Sequence, residues 1–175
     1  MNDMAETRIY LDLDGVLADF SRGVRELCGM EAAPQNGERD YRQDERMWEA
    51  IRKADHFYGR LEPVPGSGKL FREIRKAYGD RCEILTGIPK PRRGIATAGE
   101  DKIQWVRRFF SSDIRVRIVQ REEKIRFCTG PESILVDDRE DTIRDWREKG
   151  GTGILFTGAE EALRALGLGG ASEES

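Results

Sequence analysis

The chain has 175 residues, with 30 lysines and arginines against 33 aspartates and glutamates, and a formal net charge of −3. This length fits one domain, or one domain with a small insertion, and the balanced charge argues against a nucleic-acid polymer or an anionic membrane as partner. The single histidine excludes a multi-histidine zinc site, and the three cysteines fit reduced thiols better than a disulfide framework.

The first predicted element is a buried strand that begins at Ile9 and ends in a turn at Gly15. Asp12 and Asp14 lie two residues apart and leave the strand on the same side. Two carboxylates this close favour a hard divalent cation with oxygen ligands, typically Mg²⁺, as their partner. In the alternative interpretation, Asp14 and Gly15 form a simple turn and Asp12 is an exposed residue of an edge strand.

The next segment, residues 21–60, is predicted to be a small helical insertion. Helical spacing runs from residue 16 to residue 28 and stops at Gly29. Residues 31–42 lack a periodic apolar face and are predicted to form a loop. Asp40 can cap a short helix that ends near Ala54. Residues 56–66 are expected to be irregular, because two prolines restrict the backbone there.

From residue 67 onward, predicted helices and strands alternate. Helices are expected over residues 67–78, from Glu100 with Ile103, Val106 and Phe110 facing inward, over 139–149 and over 159–166. Strands are expected over 82–86, 114–119, 133–136 and 154–156, with a basic loop at 87–94 and a helical turn at 122–128.

This alternation predicts an α/β fold, a Rossmann-like parallel sheet with helices on both faces. We expect a core domain of residues 1–20 and 61–170, with a small helical cap of residues 21–60 inserted after the first strand. The glycine, serine and glutamate residues at 171–175 are expected to form a disordered tail.

Acids and a hydroxyl group follow three different predicted strands. Asp12 and Asp14 end the first strand, Thr86 ends the second, and Asp137 and Asp138 end the fourth. Because ligands of parallel sheets bind beyond the carboxyl ends of the strands, we expect these side chains to form one site. Asp12 can attack phosphorus as a nucleophile, and Asp14 can act as general acid and base. The pair Asp137 and Asp138 can complete a metal site.

Phosphoryl transfer spreads negative charge over the phosphoryl oxygens, so we expect a lysine at the same site. The candidates are Lys90, Lys102 and Lys124. Lys90 lies in the loop after Thr86 and Lys124 follows the third strand, which places both near the acidic edge. Lys102 is expected at the start of a helix, where a cation is unfavourable against the helix dipole unless an anion is near.

These motifs resemble the haloacid dehalogenase superfamily of aspartate-dependent phosphatases, whose four motifs stand here in the same order. They are Asp12-Leu13-Asp14-Gly15-Val16, Thr86 after a strand, Lys124, and Asp137-Asp138-Arg139. Within that superfamily, segments 61–66, 86–90 and 101–106 are similar to the 5'(3')-deoxyribonucleotidases, and the resemblance covers about residues 9–156. It implies the haloacid dehalogenase fold, with the insertion as a small helical cap over the active site.

The resemblance implies the roles of the acids. Asp12 would be the nucleophile and a metal ligand, and Asp14 the acid and base with its backbone carbonyl on Mg²⁺. Asp138 would be the other metal ligand, with Asp137 in support. The implied metal site therefore comprises Asp12, Asp14, Asp137 and Asp138.

The resemblance also implies how the substrate is held. Thr86, Gly87, Lys90 and Lys124 would hold the phosphate, and Phe20 would line the nucleotide pocket. Two departures from the family pattern bear on base recognition. Gly87 stands where the family often has serine, and the cap is shorter than in the animal enzymes. Aromatic side chains of the cap can stack on a base or pack within the cap.

The leading prediction is a Mg²⁺-dependent phosphomonoesterase that hydrolyses a nucleoside monophosphate, a 5'- or 3'-deoxyribonucleotide, through an aspartyl-phosphate intermediate. One alternative is a phosphatase of the same superfamily acting on another small phosphorylated metabolite. The other is a phosphoacceptor or binding module without turnover. Receiver domains carry their acid pair on the first strand and the phosphoacceptor on a middle one, whereas here Asp-x-Asp comes first and the adjacent pair comes late. This order favours the phosphatase.

The expected partner is a small phosphomonoester. Because the sequence has neither an apolar run of membrane-spanning length nor a signal-peptide pattern, we expect a cytoplasmic protein without a membrane partner. The sequence does not decide between a monomer and a homodimer.

Overall fold

A parallel sheet of five strands forms the centre of the computed structural model, which describes residues 7–169. The strands are β1 (Arg8–Leu11), β2 (Cys82–Gly87), β3 (Val116–Val119), β4 (Ser133–Asp137) and β5 (Thr152–Leu155). They lie in the order β3-β2-β1-β4-β5. The disordered tail predicted at 171–175 lies outside the described residues.

Six α-helices surround the sheet or cover its edge. They are α1 (Phe20–Cys28), α2 (Tyr41–Lys53), α3 (Ser67–Tyr78), α4 (Ala98–Phe109), α5 (Glu140–Glu148) and α6 (Ala159–Ala165). Alternate residues of β1 enter different apolar clusters: Ile9 packs with residues of α3, α4 and α6, and Tyr10 with residues of α5. Helices therefore cover both faces of the sheet, as predicted. None of the described helices combines the length and the apolar composition that a membrane crossing requires.

The direction of winding places a ligand site at β1 and β4. From β1 the chain adds β2 and β3 on one side, and it then crosses over to add β4 and β5 on the other side. In open α/β sheets the ligand binds at the carboxyl ends of the strands where this reversal occurs. Asp12 directly follows β1, and Asp137 is the last residue of β4.

The predicted start of the first helix is wrong by four residues. Residues 13–18 form a tight turn instead, in which the Leu13 carbonyl accepts from the N–H groups of Val16, Leu17 and Ala18. Gly15 adopts a φ of 85° in this turn, a conformation that a side chain would disfavour. The helix begins at Phe20 because Asp19 caps it, accepting from the Arg22 N–H at 3.1 Å.

The predicted inward face of α4 is also wrong in part. Ile103 and Phe110 are only half-buried, whereas Lys102, Trp105 and Val106 are buried. The helix begins at Ala98, two residues before the predicted start at Glu100. The last strand likewise begins two residues earlier, at Thr152.

The segment proposed as the cap contains most of α1, all of α2 and a 3₁₀ turn at Phe57–Arg60. Asp40 caps α2 as predicted, accepting from the N–H groups of Arg42 and Gln43. Trp105 of α4 donates to the Leu61 carbonyl at 2.7 Å, which fixes the point where the segment returns to the sheet. The division into a core and a cap remains a prediction.

We predict that Trp105→Phe lowers the free energy of unfolding by about 2 kcal/mol, because it leaves the buried Leu61 carbonyl without its donor. Tyr41→Phe is the control, since Tyr41 is 72% exposed, and its effect should stay within about 0.5 kcal/mol. Urea denaturation followed by circular dichroism measures both. Equal stability of the two variants would contradict the anchoring role of Trp105.

Candidate active site

A buried lysine joins the ends of the two central strands. The Lys124 Nζ lies 2.8 Å from Asp12 Oδ1 and 2.8 Å from Asp137 Oδ2. All three side chains are buried. Burial alone would lower the pKa of the Lys124 ammonium, but the two carboxylates outweigh burial and raise that pKa. Lys124 therefore carries its charge at all physiological pH values.

Three carboxylates, those of Asp12, Asp137 and Asp138, form a cluster at this edge. Each offers one oxygen, and these oxygens lie within 4.8 Å of one another. Burial, followed by the nearby Asp12 carboxylate, raises the pKa of both Asp137 and Asp138. The single ammonium of Lys124 thus does not balance the cluster, and a hard divalent cation suits its oxygen donors and excess negative charge.

Gly15 provides the space that Asp138 occupies. A Cβ at Gly15 would lie 2.1 Å from Asp138 Oδ2, closer than two such atoms can approach. A residue with a Cβ at this position would therefore strain the backbone and would also displace the Asp138 carboxylate packed against it.

The Asp14 carboxylate is paired with a second lysine, Lys102, and is not part of the three-carboxylate cluster. The Lys102 Nζ donates to Asp14 Oδ2 at 2.7 Å, to the Gly87 carbonyl at 2.7 Å and to Thr86 Oγ1 at 3.2 Å. The other oxygen, Asp14 Oδ1, is buried and has no hydrogen-bond partner within residues 7–169. The two aspartates of the first motif therefore have different cationic partners and different surroundings.

Lys102 belongs to the site, although a cation was expected to be unfavourable at its place near the start of a helix. It lies in the second turn of α4, past the first turn where the dipole disfavours a cation, and the anion that it needs is Asp14. Its ammonium also lies 4.6 Å from the centre of the buried Tyr58 ring. The helical spacing of Lys102, Trp105 and Val106 places the lysine on the buried face, and this signal was available in the sequence.

Lys90 has a different environment from the two buried lysines. Its side chain is 56% exposed and its Nζ lies 3.4 Å from Glu122 Oε1. It lines the cavity over the carboxylates without contacting them. Of the predicted phosphate-binding residues, Thr86 is buried at the end of β2, and Gly87 and Lys124 line the same cavity.

The cavity has a volume of about 200 Å³ and lies between the carboxyl edge of the sheet and the segment proposed as the cap. Asp12, Asp14 and Asp138 line one end. Phe20, Trp48 and Tyr58 form an aromatic wall, with Phe20 stacked on Tyr58 at 6.2 Å between ring centres. Trp48 is the half-buried member of this wall. The Arg93 guanidinium lies 5.5 Å from the centre of the Trp48 ring. The cavity therefore combines carboxylates with an aromatic wall.

Comparisons with known proteins agree with these motifs. No family model matches the chain. A protein of Bordetella pertussis named "Putative 5'(3')-deoxyribonucleotidase" is 30% identical over 143 residues, covering 75% of this chain and 73% of the relative. The mitochondrial 5'(3')-deoxyribonucleotidase of Homo sapiens is 26% identical, covering 86% of this chain and 70% of the human protein.

Among solved structures, a phosphonoacetaldehyde hydrolase-like protein of Oleispira antarctica superimposes with a TM-score of 0.51 at 12% sequence identity, covering 86% of this chain and 72% of the other. This similarity concerns the fold alone. The ordered motifs, the parallel sheet and the relatives all agree with the predicted haloacid dehalogenase fold. The chain belongs to the 5'(3')-deoxyribonucleotidase family of the haloacid dehalogenase superfamily.

Proposed function

We propose that the protein is a Mg²⁺-dependent phosphomonoesterase that hydrolyses a nucleoside monophosphate, a 5'- or 3'-deoxyribonucleotide. The observation that carries the proposal is the separation of two aspartates by their lysines. Asp12 is paired with Lys124 within the carboxylate cluster, whereas Asp14 is paired with Lys102 and one of its buried oxygens has no hydrogen-bond partner among residues 7–169. A nucleophile and a proton carrier need environments that differ in this way.

The metal would be held by oxygens of Asp12 and Asp138, with Asp137 fixed in support by Lys124 and by the Arg139 N–H at 3.0 Å. Asp14 would contribute only its backbone carbonyl oxygen to the metal site, because Lys102 binds its carboxylate. When bound, Mg²⁺ supplies positive charge that offsets the negative charge of the phosphoryl oxygens.

Asp12 then attacks the phosphorus atom. A bond forms between its carboxylate oxygen and phosphorus while the bond from phosphorus to the leaving oxygen breaks, and Asp14 gives that oxygen a proton. In the second half, Asp14 takes a proton from a water molecule that attacks the phosphorus, which releases phosphate and frees Asp12. Lys102 would hold Asp14 in place through both proton transfers.

The phosphoryl oxygens would be held by cations and donors at the same edge. Lys124 supplies a buried positive charge and Thr86 would supply a hydroxyl group, and the backbone of Gly87 lines the cavity beside them. Lys90 lines the outer part of the cavity and would hold the phosphate more weakly, since it is exposed and paired with Glu122.

The nucleotide assignment is supported by the family and by the aromatic wall. Both relatives described above are named for deoxyribonucleotides, and the aromatic wall of the cavity suits contact with a base. Phosphate release from a panel of nucleotides and sugar phosphates tests this assignment. Turnover of sugar phosphates without any nucleotide would favour the other metabolite class, and no turnover with Mg²⁺ would favour a binding module.

We predict that Asp14→Asn lowers turnover by about 10²–10⁴-fold, because the amide can neither give nor take the required proton. Mg²⁺ binding should persist, since the three-carboxylate cluster is intact. Phosphate release and titration calorimetry measure the two effects. Asp12→Asn is the comparison, and it should lose turnover and also bind Mg²⁺ more weakly. Loss of metal binding in Asp14→Asn would contradict the separate roles.

Methionine substitutions should rank the three lysines. Lys102→Met and Lys124→Met keep most of the buried volume but remove the charge, so we expect each to lower kcat by about 10²–10³-fold. Lys90→Met should lower it by less than about tenfold, because exposed ion pairs contribute little. Steady-state kinetics on one nucleotide measures all three. A larger loss for Lys90→Met than for Lys102→Met would contradict this order.

The stabilisation by Mg²⁺ should grow with pH. The pKa of Asp137 is raised to about 6 and that of Asp138 to about 8, so the folded metal-free protein holds more protons than the unfolded chain. Stability from these groups is complete below the usual carboxyl pKa and is lost as pH rises through about 6 and about 8. Mg²⁺ replaces those protons.

Thermal unfolding with and without Mg²⁺ tests this dependence at about pH 5.5 and about pH 8, two values that span the titration of the pair. The gain in Tm should be larger at the higher pH. Asp138→Asn is the control, because it removes the group whose pKa is raised most, and its gain should vary less. A gain that is independent of pH in the wild type would contradict the raised pKa values.

A further inference from the structure

A loop outside the catalytic motifs reaches the backbone of the metal site. The cap loop, residues 30–40 between α1 and α2, crosses to the turn after β4. There the Asn36 Nδ2 donates to the Asp138 carbonyl at 3.0 Å, and the Asn36 Oδ1 accepts from the Glu140 N–H at 2.8 Å. These partners are 102 and 104 residues away in sequence.

The orientation of the Asn36 amide follows from its partners. A backbone N–H can only donate, so the oxygen of Asn36 must face Glu140, and the NH₂ group then faces the Asp138 carbonyl. Glu140 is the first residue of α5, whose N-cap residue, Arg139, provides no side-chain cap. Asn36 therefore caps α5 from the cap loop. The neighbouring Gln35 accepts from Arg139 Nη1, so two consecutive loop residues hold the turn.

Asp138 depends on this backbone support more than the other two acids do. Lys124 holds both Asp12 and Asp137 by their carboxylates. Among residues 7–169, no side chain pairs with the carboxylate of Asp138. Its position is set by its own backbone and by the close packing against Gly15. A shift of the turn after β4 would therefore move the Asp138 carboxylate directly.

We propose that Asn36 is a positioning residue of the metal site, which fixes Asp138 by clamping the backbone on both sides of Arg139, the residue that directly follows it. The role rests on the proposed function, in which Asp138 is a metal ligand. Groups that orient metal ligands typically contribute 10–100-fold to metal affinity. Because Asn36 is exposed and water competes for its hydrogen bonds, the effect should lie near the lower limit.

The clamp also couples the cap loop to the metal. If Asn36 strengthens metal binding by holding the turn, the bound metal must strengthen the contact of the cap loop with that turn by the same factor. Mg²⁺ should then slow hydrogen exchange of the Glu140 amide in the wild-type protein. This measurement needs no variant and no turnover.

The test is calorimetric titration of the full chain with Mg²⁺ in the absence of substrate. We expect Asn36→Ala to bind Mg²⁺ about tenfold more weakly than the wild type. Gln43→Ala is the matched control, because the Gln43 Nε2 anchors the other part of the same loop, to the Glu31 carbonyl at 3.1 Å. Its affinity should change by less than about twofold, because it does not contact the turn after β4.

The outcomes separate this inference from the proposed function. A wild-type chain that binds no Mg²⁺ would overturn the metal site itself. Normal binding by the wild type with equal affinity in Asn36→Ala, or equal losses in Asn36→Ala and Gln43→Ala, would overturn the role of Asn36 alone. If Asn36→Ala does not fold, the wild-type exchange experiment decides, and exchange at Glu140 that is unchanged by Mg²⁺ would contradict the clamp.

Discussion

Crowding of negative charge at one edge of a parallel sheet is the constraint on which the site depends. The sheet brings Asp12, Asp137 and Asp138 together because β1 and β4 are neighbours and end at the same level. Separated carboxylates would be satisfied by water, but buried ones need cations. Lys124 supplies one charge to the cluster. The remaining negative charge suits this edge to a divalent cation.

The two aspartates of the first motif have different cationic partners, because Lys102 binds Asp14 and Lys124 binds Asp12. Two aspartates that are two residues apart in one segment would behave alike if they shared one environment. Lys102 instead draws Asp14 towards Thr86 and Gly87 and away from the carboxylate cluster. The tight turn that Gly15 permits makes this possible, and the same glycine leaves room for Asp138. One local conformation therefore gives Asp12 and Asp14 the separate surroundings that the proposed metal-binding and proton-transfer roles require.

The parts of the site that could be predicted from sequence are those set by local pattern. Asp12, Thr86 and Asp137 follow strands, and the topology of a parallel sheet brings strand ends together. The role of Lys102 depends on its burial in the folded protein, and the helix-dipole rule for helix starts does not describe burial. The helical spacing of Lys102 and Trp105 nevertheless indicated that both lie on the same face of the helix. The contacts of Asn36 could not be predicted from the sequence, because its partners lie more than 100 residues away and its loop has no hydrophobic periodicity.

The proposed mechanism requires that Asp12 forms a covalent bond to phosphorus. The most direct measurement is acid quenching of a single turnover with Mg²⁺ and a nucleoside monophosphate, followed by mass spectrometry of the peptides. If Asp12 is the nucleophile, a transient phosphoryl group forms on Asp12, appears before free phosphate and is absent from Asp12→Asn. A phosphoryl group on another residue, or turnover that never passes through a phosphorylated chain, would contradict it.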